Sequence, residues 1–343
     1  MNHEHIRLPA EWEHQDGILL SWPTSDSDWA DILDQIEQVF VQLVKQISRF
    51  EKVVIVAAKI DYVIGRLNQE NICSNNIKLY AIDMNDTWTR DCGPITLYRA
   101  GKPLLYDFGF NGWGLKFAAD KDNQMNHLLA EKHAFSAPMT SQPLILEGGS
   151  IESDGQGTLL TTSECLLNRN RNPHLNKSQL EHFFSTQMGI QKFLWLDHGY
   201  LAGDDTDSHI DTLARLCPNN TITYVACKNR SDEHFVALKA MEQQLSEFRT
   251  IDGSPYKLLP LPWPQAKFDH NGERLPATYA NFLIINDAIL VPTYDDPADK
   301  YALDVIQTAF PTHEIIGINC SAVIIQHGSL HCLTMQLPQG TLQ

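Results

Sequence analysis

The sequence is short of positive charge. Its 343 residues carry 26 Lys and Arg against 42 Asp and Glu, for a formal net charge of −16. That balance argues against nucleic acid or an anionic membrane surface as a partner, because both are recognised through basic patches. It suits a cationic small molecule. No apolar run approaches the about 20 residues needed to cross a bilayer. The first residues, MNHEHIRLPAEWEHQDG, show no basic segment followed by an apolar one, so no secretory leader is expected. The seven cysteines are odd in number and include no Cys-x-x-Cys pair. This sets aside a disulfide scaffold and a zinc ribbon, and a reducing cytoplasm fits best. Also missing are HExxH, a GxSxG elbow, and phosphate loops of the GxGxxG or GxxxxGK[ST] type. No Gly/Ser linker, charge block or low-complexity tract divides the chain. One domain over residues 1–343 is therefore expected, although length alone would allow two.

What is present reads as α/β. Residues 26–50 place Ile32, Ile36, Phe40, Leu43, Val44 and Ile47 at helical spacing, and 52–57 reads as a buried strand. A second strand is expected over 77–83, and helices over 230–249 and 298–310. The first of these two helices puts Phe235, Leu238, Met241 and Leu245 on one face. Hairpin-like units recur, each opening on a polar cluster, at Arg90, Glu147, His209, Ala277 and His327. In the third, a helix-like run over 210–216 replaces the first strand. The landmarks Asp91, Glu147, His209, Asn281 and Cys332 fall roughly 60 residues apart, the signature of repeated supersecondary units. A cyclic arrangement would bring the landmarks together on one axis.

Several of these residues carry chemistry. Cys332, in His-Gly-Ser-Leu-His-Cys, reads either as a nucleophilic thiol at a strand end or as a buried structural cysteine. Gly328 would allow close backbone approach beside it. Cys92, next to Asp91, competes for the role of nucleophile, and the other five cysteines look inert. His209, in Gly-Asp-Asp-Thr-Asp-Ser-His-Ile-Asp, has carboxylates that favour an imidazolium and suit acid–base work. It also reads as the first turn of a helix capped by Asp207 or Ser208. Asp91 reads as a turn aspartate or as a clamp for a cation, with Trp88 offering a flat face for cation–π contact. Glu147, before two glycines, is suited to orienting a histidine. Asn281 and Trp113 are weaker candidates. A metal site is the rival reading, with donors at His209, Asp211, His331 and Cys332. The one HxH, His3 and His5, lies in the terminal tail. No metal and no cofactor is expected.

At these residues the chain resembles the agmatine deiminase and bacterial, porphyromonas-type peptidylarginine deiminase family of the guanidine-modifying (pentein) superfamily. The resemblance runs from Leu-Pro-Ala-Glu-Trp-Glu-His-Gln-Asp (8–16) to His-Cys-Leu-Thr-Met-Gln (331–336). Between them lie Trp-Thr-Arg-Asp-Cys-Gly-Pro (88–94), Phe-Asn-Gly-Trp-Gly (110–114), Glu-Gly-Gly-Ser-Ile (147–151), Asp-Gly-Gln-Gly-Thr (154–158), His-Ile-Asp (209–211) and Tyr-Ala-Asn-Phe (279–282). In this order the set is specific.

The resemblance implies a five-fold pseudosymmetric α/β propeller of αββαβ-like units around a central site. It implies Cys332 as nucleophile, His209 as general acid and base, and Glu147 as the residue holding the histidine. Asp91 and Asp211 would grip a planar guanidinium. Agmatine is the favoured substrate, converted to N-carbamoylputrescine and ammonia in polyamine synthesis through an amidino-cysteine, without a cofactor. Arginine in peptides is the alternative, and a non-catalytic binding protein a second. A homo-oligomer is compatible with the family. The chain departs from the agmatine pattern at Glu152, where a histidine is usual, and at Ser208, where a glycine is. It also has Asp205 where a glutamate meets the distal amine, and fewer glycines before Cys332. These departures bear on the choice of agmatine and leave the guanidine chemistry intact.

Overall fold

The computed structural model describes residues 6–73 and 75–343. His3 and His5 lie outside them. The chain folds as a mixed α/β protein whose strands form six separate sheets among the described residues.

Five of the six sheets share one order of pairing, an antiparallel pair followed by a parallel strand. Ile95–Arg99 pairs antiparallel with Lys102–Gly109, which pairs parallel with Met139–Ile145. The same holds for Ile151–Ser153, Thr158–Thr162 and Lys192–Leu196. It holds again for Ala214–Cys217, Thr221–Val225 and Lys257–Leu261, and for Leu283–Ile285, Ala288–Thr293 and Glu314–Asn319. In the fifth, Thr334–Pro338 pairs antiparallel with Gln15–Ser21, which pairs parallel with Lys52–Ala57. A parallel neighbour cannot be reached by a tight turn, so each such step carries a crossover segment. Those segments hold the helices Met125–Glu131, Lys177–Met188, Phe235–Glu247, Asp299–Ala309 and Leu33–Ile47.

Three sequence expectations are corrected. The run 210–216 is not a helix. A single turn, Ile210–Thr212, leads directly into the strand Ala214–Cys217. Asn219 and Asn220 adopt φ of +59 and +53, a conformation that asparagine tolerates, and they reverse the chain into Thr221–Val225. The final unit is not a local hairpin, because its strand finds its partner near the other end of the chain. The first helix is shorter than 26–50. It runs Leu33–Ile47 after a single turn at Ala30–Ile32, because Trp29 is tied down by indole hydrogen bonds to Asp86 and Thr87.

The apolar face of that helix buries Ile36, Phe40, Leu43, Val44 and Ile47 against the continuous apolar strand Val53–Val56. The later helix buries Leu238, Met241 and Leu245, with Phe235 only partly covered. A second apolar cluster, including Leu97, Leu104, Leu159, Phe184 and Met188, packs the first two sheets named above.

What positions a site is a recurring detail at the sheet ends. One helical turn precedes four of the antiparallel pairs: Thr89–Cys92, Gly148–Ser150, Ile210–Thr212 and His331–Leu333. These turns pack on one another, the first against the second and fourth, and the second against the third. Asp91, Asp211 and Cys332 sit on three of them, and Glu147 and His209 immediately precede two. None of the described helices is long and apolar enough to cross a membrane.

Candidate active site

Cys332 reaches the wall of a cavity of about 170 Å³ that Asp91, Trp88, Trp113, Asp205 and His327 also line. Asp28 and Asp86 add further carboxylates to the wall, so the cavity favours a cation. A larger groove of about 500 Å³ between helix Leu33–Ile47 and strand Glu314–Asn319 carries glutamines, not a nucleophile with an imidazole.

The Cys332 thiol stands 3.4 Å from Asn281 Oδ1 and 3.9 Å from Asp211 Oδ2. Burial pushes the thiol well up from its ordinary range, and Asp211 and Asp91 add to that. In the absence of a cation it therefore holds its proton. Asn281 lies behind the cavity. Its Oδ1 accepts from the Cys332 backbone N–H at 3.2 Å, and its Nδ2 donates to the Asp211 carbonyl at 3.3 Å. The amide thus ties the two segments together, leaving little of it for a ligand.

His209 is fully buried. Its Nδ1 lies 3.6 Å from Asp91 Oδ1 and its Nε2 lies 4.0 Å from Glu147 Oε2. The contact with Glu147 is an ion-pair distance, longer than a hydrogen bond. Arg171 Nε donates to the other oxygen, Glu147 Oε1, at 2.7 Å, which turns Oε2 toward the imidazole. The loop that delivers His209 is built by Asp204. Its carboxylate accepts from the Thr206 and Ser208 backbone N–H groups, and Thr206 Oγ1 accepts from the His209 N–H at 3.1 Å. Asp207 and Ser208 have φ of +64 and +62, a left-handed bend in which a glycine would be unstrained.

Asp91 accepts from Gly149 N–H through Oδ1 and from Trp113 Nε1 through Oδ2, both at 2.9 Å. Burial raises its carboxyl, opposed by His209. Asp211 Oδ2 accepts from His331 Nδ1 at 2.7 Å, and Asp211 Oδ1 is buried without a hydrogen-bond partner among the described residues. Burial alone would raise Asp211. The bond and charge of His331, with His209 and Arg215, hold it below its ordinary value. Trp88 donates to Asp86 through Nε1, and its ring packs so tightly on Gly328 that a Cβ there would fall 2.2 Å from it. The close approach read at Gly328 thus has a physical partner.

Asp205 is half-exposed at the mouth, with His327 Nδ1 3.9 Å from its carboxylate. Burial raises it, and His327 opposes that. Lys116 donates to the Asp205 carbonyl and to the Asp207 carboxylate. Asp204 and Asp207, which the acidic run groups with the site, are spent on the loop, Lys116 and Arg171. Glu152 is buried against Arg215 and does not line the cavity.

Cys92 does not compete for the cavity. Its thiol contacts the Trp88 carbonyl, and burial holds it well above its ordinary range. Cys73, one of the five cysteines expected to be inert, is exposed. Two groups of three possible metal donors occur among the described residues, Glu147–Cys165–His209 and Glu11–Glu152–His331. In both, a guanidinium already pairs with the carboxylates, Arg171 in the first and Arg215 in the second.

Sequence reasoning missed Arg171, Arg215, Glu11 and the role of His331, because their partners are distant in the chain. Gly149 was legible as part of Gly-Gly, but its reason is spatial. A Cβ there would lie 2.7 Å from His209 Nδ1 and 2.9 Å from Asp91 Oδ1. Gly149→Ala should therefore lower kcat/KM about 100-fold by displacing both groups, and overpacking the buried turn should also lower the unfolding midpoint. Steady-state kinetics and thermal melts check this, and wild-type kinetics would contradict it.

The chain matches the Porphyromonas-type peptidyl-arginine deiminase family over residues 7–338. It is 31% identical to the agmatine deiminase of Pseudomonas aeruginosa (strain LESB58), over 97% of this chain and 95% of that protein. Among solved structures, a cysteine-to-serine variant of the C. jejuni agmatine deiminase with substrate bound is similar at a TM-score of 0.91 and 39% identity. The match covers 98% of this chain and 97% of that one. A Porphyromonas gingivalis structure provisionally described as an arginine deiminase has a TM-score of 0.94 and 46% identity, covering 98% and 100%.

Proposed function

This chain belongs to the Porphyromonas-type peptidyl-arginine deiminase family, and from that premise we propose that it hydrolyses the guanidine of agmatine to N-carbamoylputrescine and ammonia. The observation that carries the reading is a buried thiol, Cys332, on the wall of an acidic cavity, 3.9 Å from Asp211. Asp91 lines the same cavity, and an imidazole stands behind it.

The steps follow from the groups in place. The guanidinium enters between Asp91 and Asp211, whose charges it offsets. That removes the electrostatic hold on the thiol proton, which passes to His209 as the thiolate forms. The thiolate attacks the guanidinium carbon, forming a C–S bond and a tetrahedral adduct. His209 gives a proton to one nitrogen, which leaves as ammonia as the C–N bond breaks. The amidino-thioether is then attacked by water that His209 deprotonates. The C–S bond breaks, releasing the ureido product and regenerating the thiolate. Covalent catalysis replaces one difficult displacement with two easier ones. Glu147, fixed by Arg171, holds the imidazole in place.

Asp205 at the mouth is the acceptor for a distal ammonium. Asp205→Ala should raise the KM for agmatine about 5-fold, as expected for a half-exposed ion pair, and leave the KM for a butylguanidine without an amine nearly unchanged. Equal effects on both substrates would remove Asp205 from substrate selection. Purified protein that releases no ureido product from agmatine, while turning over another guanidine, would overturn the substrate assignment.

A second reading is favoured by His327 at the mouth, which offers an imidazole to a carboxylate. Citrulline formation from arginine-containing peptides would support that alternative. The intact set of polar landmarks counts against a non-catalytic binding protein. The recurrent pairing order supports a single domain arranged as a five-unit propeller about the cavity, and the product chemistry supports a place in putrescine formation.

A further inference from the structure

Behind the turn that carries Cys332 lies a buried polar cluster that the reaction outlined above does not use. His331 stands at its centre. Its Nδ1 is 2.7 Å from Asp211 Oδ2, and its Nε2 is 2.9 Å from Glu11 Oε1. A ring with a carboxylate at each nitrogen donates from both, and only the imidazolium carries two N–H groups. Around the ring, the carboxyl groups of Asp211, Glu11 and Glu152 face the guanidiniums of Arg90 and Arg215, and burial pushes the Glu152 carboxyl up to about 8.

Arg215 cannot take over this role. Its guanidinium is spent on Glu152, Glu11 and the carbonyls of Ala280 and Phe282. Its Nη2 lies 3.1 Å from His331 Nε2, and Glu11, accepting from both, screens the two cations. Glu11 itself comes from the start of the chain. It also accepts from Arg90 Nη1 at 3.1 Å and Gln336 Nε2 at 3.0 Å, so with His331 and Arg215 four groups hold its carboxylate.

We propose that His331, clamped by Glu11, is a positioning residue that keeps Asp211 ionised and pins its Oδ2, leaving Oδ1 as the oxygen offered to the guanidinium. Asp211 Oδ1 is the one that is buried without a partner among the described residues. Such an arrangement matters because a fully buried carboxylate would otherwise favour its neutral form, which grips a cation poorly. The groups facing His331 are Asp211, Glu11 and Arg215, with Arg90 Nε on its carbonyl at 3.4 Å. Those around Asp211 are His331, His209, Arg215, Asp91 and Cys332. The proposal rests on the guanidine-hydrolase reading of the site.

The test is agmatine turnover between about pH 5 and 9 by wild-type protein, His331→Gln, Glu11→Gln and the double variant, with thermal melts alongside. Each single variant should lose about 10- to 100-fold in kcat/KM, the range for removing a hydrogen bond to a charged group. The acid limb of kcat/KM should move up in pH, because Asp211 without its cationic neighbour takes up a proton earlier. The double variant should be no worse than His331→Gln alone, since both act through Asp211. Glu11→Asp should recover part of the loss. Glu11 is partly exposed, so its variants test the idea even if His331→Gln fails to fold. Wild-type kcat/KM in Glu11→Gln, or pH profiles that drop in parallel with unmoved limbs, would overturn the proposal. Wild-type protein that turns over no guanidine would overturn the functional reading itself, and this proposal with it.

Discussion

Cys332→Ala is expected to abolish agmatine turnover, lowering kcat on the order of 10⁴-fold or more, while the protein still folds. Among the described residues Cys332 is the one cysteine on the wall of the acidic cavity, so no second thiol there can substitute. Alanine removes a single sulfur and leaves the backbone bond to Asn281 in place. The thiol is held protonated by burial, then by Asp211 and Asp91. Two consequences follow. Alkylation of Cys332 by iodoacetamide in the free protein should be slow at neutral pH and should speed up as pH rises. During turnover, mass spectrometry of quenched samples should find the amidino adduct on Cys332. An adduct on another residue, or activity retained in Cys332→Ala, would sink the assignment of the nucleophile.

His209→Gln is the second large effect, a fall in kcat of about 10²- to 10⁴-fold, the usual span for losing a general acid and base. The imidazole is fully buried between Asp91 at 3.6 Å and Glu147 at 4.0 Å. Glutamine fills a similar volume but cannot exchange protons in this range. Both halves of the reaction need that exchange, one to release ammonia and one to activate water. If the second half is slowed more, the amidino adduct accumulates in His209→Gln, and quenched-sample mass spectrometry would detect it. Turnover at the wild-type rate would remove His209 from the chemistry. The role of Arg171 is separable. It faces Glu147 and Asp207, not the cavity, so its loss should act through the placement of His209.

Much of this site was legible from residue types. Asp91, His209 and Cys332 were singled out because charge, imidazole and thiol recur at polar openings of repeated units. The structure places them at one set of packed turns. Residues that hold them were illegible. Arg171 lies in Asn-Arg-Asn-Arg-Asn, where nothing local distinguishes it from a solvated loop arginine, yet its side chain is fully buried. Arg215 sits in what read as a helix and is a buried strand residue. Its five donors are matched only by segments far away in the chain. In the sequence the acidic run before His209 offers carboxylates with nothing to tell them apart. Its carboxylates divide by direction, with Asp204 and Asp207 turned to the loop and Asp205 to the mouth, and direction depends on a left-handed bend at Asp207 and Ser208.

By itself the sequence determined the class of the fold, the spacing of its polar landmarks near 60 residues and an acidity that argues against polyanionic partners. These follow from period, spacing and net charge, which are local or additive properties of a chain. Only the tertiary structure decided which oxygen of Asp211 is free, that Glu147 meets His209 at 4.0 Å without a hydrogen bond, and that the last strand pairs with one near the chain's beginning. Each is a contact between segments far apart in sequence. Such contacts form only when burial brings polar groups together, and a buried polar group takes whichever partner the packing leaves within reach.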